Sequence, residues 1–163
     1  MKVDFDLPLL EEVLALLDRH LTRLEHHAAV VPDPDAEGIL DSMEQVVGLG
    51  FAACQTYLVA RSAFMVASKS DTLDLGPVHR CGRTIVAIVN AAANYWKHHD
   101  EWAVTASGGR ARTEEVIAAL GVRVSEYTAS NVLSELLRPL PARFTTLIPF
   151  LVQWSDALDP TTT

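Results

Sequence analysis

Residues 7–27, "LPLLEEVLALLDRHLTRLEHH", constrain the fold more than any other stretch. Leu10, Val13, Leu14, Leu17, Leu21 and Leu24 recur at intervals of three and four. That is the stripe of a 3.6-residue helix, and it cannot be laid on the alternating faces of a strand. A helix with one apolar stripe must bury it against other elements. Asp6 can cap the start, and Pro8 falls in the first turn, where its missing N–H does no harm. The spacing predicts a helix over about 7–28, ended by the two prolines of "VVPDPDAEG".

The helical period continues. A second helix is predicted over about 36–68, with Gly48 and Ala52 on one face and Gly50 nearby, small enough to let another helix approach closely. "SKSDTLDLGPVH" reads as a loop, and a third helix is predicted over about 79–102. "TASGGRAR" reads as a flexible loop, after which Thr113 caps a short helix ended by Gly121. "NVLSELL" forms a further helix stopped by Pro139 and Pro141. A last helix over about 146–158 tolerates Pro149 in its first turn, and "DPTTT" is a frayed tail. No alternating strand pattern, internal repeat or domain linker appears. The expected fold is all-α: one domain over 1–163, an up-down bundle of three long helices closed by a C-terminal cap of shorter ones.

Composition agrees with one globular domain. The 163 residues are 49% hydrophobic and 21% charged, enough to bury a core without disulfides or a structural metal. Cys54 and Cys81, with no CxxC spacing, read as reduced thiols of a cytoplasmic protein. The acidic start "MKVDFDLPLLEEVL" is unlike a signal peptide. The longest weakly polar run, residues 46–60, is shorter than the ~20 residues of a membrane span, so no membrane is expected. A net charge of −8 disfavours duplex DNA. Residues 79–112 are the exception: Arg80, Arg83, Lys97, Arg110 and Arg112 stand against Asp100 and Glu101.

That basic region contains "NAAANYWKHHDEW", residues 90–102. At 100° per residue, Arg83, Ala87, Asn90, Asn94, Lys97, His98 and Glu101 share one helical face, with Tyr95, Trp96 and His99 on the apolar side. Asparagines are poor helix formers, so two of them four residues apart mark a surface chosen for hydrogen bonding. Two readings stay open. The stripe pairs with neighbouring helices or forms a dimer interface, or it is a site in which His98 titrates near neutrality. Gln55, Tyr57 and Arg61 on the second helix are placed to meet it, and Trp96 and Trp102 read as core.

Other chemistries find no pattern. His20, His26, His27, His79, His98 and His99 occur without HExxH or ExxH spacing, and adjacent His98 and His99 cannot share one metal from a helix, so no metal is predicted. There is no GxSxG elbow and no GxxxxGK[ST] phosphate loop; no cofactor is expected.

An all-α bundle whose long third helix carries a polar "N…NYWKHHDEW" resembles the HEPN superfamily, over about residues 36–102. The chain also resembles an uncharacterised bacterial family with a "Q-x-Y" helix (Gln55 to Tyr57) before an "ANYWKHHDEW"-type helix, which implies no activity. The HEPN resemblance implies a metal-independent RNase, or an RNA-binding component, of a bacterial defence or toxin system. Active members carry an Arg, then four to six residues, then a His, with a polar residue just after the Arg, and two such motifs meet at a homodimer interface. Here Asn94 stands in the Arg position, and Arg83 lies fifteen residues from His98, about 22 Å along a straight helix. The implied catalytic set is then His98 as acid or base, Lys97 as positive charge, Asn94 as ligand orienter and Glu101 as the residue positioning His98. Asn90, Arg83, Arg110 and Arg112 would bind the ligand, the last two from a lid over His98. The alternative is a non-enzymatic helical protein whose Asn/His stripe binds a partner protein or a second copy.

Overall fold

The computed structural model describes residues 4, 6–63, 65, 68–102 and 108–159. Among them the chain forms seven α-helices: α1 (Asp6–Ala28), α2 (Ile39–Ser62), α3 (Lys69–Leu73), α4 (Ile85–Trp102), α5 (Gly108–Ala119), α6 (Thr128–Leu137) and α7 (Ile148–Leu158). A 3-10 turn, Phe144–Leu147, runs into α7. The described residues hold no strand, only an isolated bridge between Val78 and Thr84. The protein is all-α. None of its described helices is long and apolar enough to cross a membrane.

The three long helices are α1, α2 and α4, and α2 packs against both others. Neighbours run antiparallel. Asp4, just before α1, accepts a 2.7 Å hydrogen bond from Tyr57 near the end of α2. Gly48 of α2 lies under Trp96, late in α4, while Gln55 meets Asn90 and Asn94, earlier in it. Glycine is required at two crossings. A Cβ on Gly48 would lie 2.0 Å from the Trp96 indole nitrogen, and one on Gly50 would lie 2.3 Å from the Phe144 ring. Phe51 meets Phe144 edge-on at 5.2 Å, and Leu14, Val86, Ile88, Leu133 and Trp154 are buried around this seam. The apolar period of each helix thus becomes one shared core.

Two buried carboxylates tie the C-terminal elements to this frame. Asp18 of α1 accepts from the backbone N–H groups of Phe144 and Thr145, at 2.7 and 2.9 Å, and from the Thr145 hydroxyl at 2.7 Å. Glu44 of α2 accepts from the N–H groups of Ala129 and Ser130, at 2.7 and 2.9 Å, in the first turn of α6. Each supplies from a distance what an N-cap residue supplies locally, a negative acceptor at the donor end of a helix. Trp154 adds a 2.8 Å bond from its indole N–H to the Thr72 carbonyl.

Several expected boundaries are corrected. The third long helix starts at Ile85, not residue 79. Gly82 adopts φ +85°, the His79 N–H bonds to the Arg83 carbonyl, and Thr84 caps α4 by accepting from the Ala87 N–H at 3.1 Å. Arg83 is therefore in the turn before the helix, not on its face. The second helix ends at Ser62 rather than 68, and the expected loop after it contains α3, opened by a capping box between Ser68 and Asp71. In "TASGGRAR" residues 105–107 lie outside the described set, but the expected loop residues 108–112 form the first turns of α5. Burial of Thr113, Val116 and Ile117 and an Arg110–Glu114 ion pair at 2.9 Å outweigh the two glycines there. Gly121, at φ +86°, ends that helix as expected.

Candidate functional site

The polar stripe of α4 meets a single buried side chain of α2. Gln55 is 5% exposed. Its Oε1 accepts from the Lys97 ammonium at 2.5 Å, and its Nε2 donates to Asn90 Oδ1 and Asn94 Oδ1, both at 2.8 Å. The sense of this relay is forced. Lysine can only donate, so it must meet the oxygen of Gln55. The Gln55 nitrogen then faces the asparagines and must meet their oxygens. Both asparagine NH2 groups are left over, and neither has a protein acceptor among the described residues.

Asn90 and Asn94 line a groove of about 570 Å³ between α3, α4 and α5. Lys69, Arg83 and Arg112 line it too, opposed by Asp74 and Glu115. Arg83 is engaged by Glu115 at 2.5 Å. Lys69 and Arg112 are exposed and form no ion pair among the described residues. Burial, and then repulsion by Lys69, hold the Lys97 ammonium below the usual lysine range. Among the described residues no aromatic ring lines the groove. Three cations against two carboxylates leave the described wall with one net positive charge, and with the asparagine amides it is rich in donors, complementary to an acceptor-rich anion.

The structure divides the eight candidate residues. Asn90, Asn94, Arg83 and Arg112 line one groove, and Lys97 joins it through Gln55. His98 and Glu101 form a separate pair, His98 Nδ1 to Glu101 Oε2 at 3.1 Å, and neither lines the groove. Arg110 is also outside it, held by Glu114 at 2.9 Å and by the Trp102 carbonyl at 3.4 Å. Arg112, two residues on, is the member of the expected lid that reaches the groove.

Three further placements differ from expectation. His99 is exposed rather than packed in the apolar face; it stacks on Tyr95 at 5.1 Å and its Nε2 lies 3.2 Å from Asp100. Of the three α2 residues expected to meet α4, only Gln55 does so through hydrogen bonds. Tyr57 bonds to Asp4, and burial together with that carboxylate pushes its hydroxyl up to about 12. Arg61 donates to Ser155 at 2.9 Å. Lys69 went unnoticed in the sequence; the Ser68/Asp71 capping box beside it is the signal that could have placed it on a helix. Among the described residues no three His, Cys, Asp or Glu side chains converge as metal ligands would. No protein-family model, curated protein or solved structure matches the chain.

Proposed function

We propose that this HEPN-like helical protein binds the phosphate backbone of single-stranded RNA in the α3–α4–α5 groove, and that binding rather than cleavage is its activity. The observation that carries the reading is the Lys97–Gln55–Asn90/Asn94 relay, which leaves two amide NH2 groups at a groove also lined by Lys69, Arg83 and Arg112. Donors held in place before the ligand arrives cost less ordering on binding. The described residues of the groove wall offer amides and cations and no aromatic ring, a set that suits the backbone better than the bases, which are gripped by stacking.

A titration of labelled single-stranded RNA followed by fluorescence anisotropy tests this. If about three cations contact phosphates, log affinity falls with log salt at a slope of about −2. Arg112→Ala and Lys69→Ala each weaken binding and flatten the slope. Unchanged binding in both variants contradicts the proposal.

One observation favours an RNase reading as the second choice. His98 follows Asn94 by about one helical turn, ~6 Å along the axis, and hydrogen-bonds to a carboxylate that would orient it as an acid or base. Cleavage of the bound RNA by the wild type, abolished in His98→Ala, would establish that reading instead.

A further inference from the structure

The outer face of α1 carries apolar surface and charge that the chain itself leaves unmatched. Leu9 and Leu16 are 63% and 57% exposed, with half-buried Val13 between them on the same helical face. Leu9, Val13, Ala53 and Ala60 line an apolar groove of about 230 Å³ between α1 and α2. Leu49, 50% exposed, continues the α2 side at the spacing 49, 53, 56, 60.

The charges flanking this strip are ordered along the helix. Glu12, Arg19 and Arg23 share one flank, the acid toward the N-terminus and the bases toward the C-terminus. All three are exposed. Among the described residues none of them forms an ion pair. Glu12 and Arg19 are seven residues, about 10 Å, apart along the axis, too far to meet on their own helix.

We infer that this face binds a second copy of the chain about a two-fold axis, α1 against α1 in antiparallel. A two-fold interface is self-complementary, and reversal of direction brings the acidic end of one flank to the basic end of the other. With Leu16 near the axis, Val13 packs on the partner's Leu16, and Glu12 lies opposite the partner's Arg19, twice per dimer. Leu9 covers the aliphatic stem of the partner's Arg23. A chain of net charge −8 repels itself overall, so the pairing depends on this local match of sign. None of these residues lines the α3–α4–α5 groove, so the inference stands apart from RNA binding.

Analytical ultracentrifugation of the full chain tests it. The wild type sediments as a dimer, and Leu16→Asp as a monomer. Glu12→Arg weakens association about tenfold or more, because like charges then face each other. Glu12→Arg combined with Arg19→Glu restores it. The substituted side chains are all exposed, and unchanged circular dichroism confirms that the variants fold. A monomeric wild type overturns the inference, as does a dimer that none of these substitutions alters.

Discussion

Two kinds of polar cluster occur in this molecule, and they differ in what is left over. Asp18 and Glu44 are closed. Each carboxylate is buried, and each meets the donors at the start of a distant helical element. The Gln55 cluster is open. Its oxygens and the Gln55 nitrogen are satisfied, but among the described residues the two asparagine NH2 groups have no acceptor, and neighbouring Lys69 and Arg112 have no ion pair. A closed cluster holds the fold together; an open one has capacity for something outside the chain. Buried polar residues can therefore be sorted by counting which donors and acceptors remain.

The largest expected effects fall on the closed clusters. Asp18→Ala and Glu44→Ala each strand buried N–H groups at a helix start, at a cost of about 2–3 kcal/mol. Urea denaturation measures that loss, while RNA affinity of the folded fraction stays at the wild-type value. A stability loss below about 0.5 kcal/mol would remove the distinction, since surface substitutions do as much.

Arg112→Ala reverses the pattern. It changes stability little and weakens RNA binding by about 1 kcal/mol, with the salt slope reduced by about 0.7 for one lost phosphate contact. Equal slopes for variant and wild type would take Arg112 out of the groove's function.

The pH dependence separates the clusters through Lys97. Its folded-state ionisation is held below the ordinary value by burial and by Lys69. Between that lowered value and the ordinary one, the unfolded chain binds more protons than the folded chain, so stability rises with pH across this window. RNA binding moves the other way, because the lysine loses its charge. Opposite trends in melting and in anisotropy are expected; parallel trends contradict the role of Lys97.

The smallest effect belongs to His98→Ala. The imidazole is partly exposed and bonds only within its own helix, to Glu101. Melting temperature and RNA affinity should both stay near wild type, and a calorimetric scan with a matched RNA titration checks this.

The fold was legible in the sequence where its causes are local. The apolar periods of α1, α2 and α4 and the Gly121 stop needed only neighbouring residues. The shift of the α4 start was readable in principle from Gly82 and Thr84, a turn glycine and a capping residue just before an apolar run. The capping of residues 144 and 145 by Asp18 was not, because it joins positions 126 and 127 apart and nothing in either segment names the other. The site was half legible. Helical spacing grouped Asn90, Asn94 and Lys97, and Gln55 was among the residues placed to meet them. Spacing alone cannot say that His98, one position from Lys97, makes its own pair, or that Arg112 and not Arg110 reaches the groove. Those outcomes depend on how α5 packs on α4.

The most direct test is RNA affinity in two substitutions of Gln55. Gln55→Met removes the relay without adding charge and releases the asparagine amides, with an expected loss of several-fold. In Gln55→Glu the new carboxylate can only accept. Asn90 and Asn94 then turn their NH2 groups toward it and present oxygens at the groove. Affinity falls at least tenfold below that of Gln55→Met if acceptors and negative charge now face phosphate. Wild-type affinity in Gln55→Glu, in a protein that still melts cooperatively, would show that the relay does not set the chemistry of the groove.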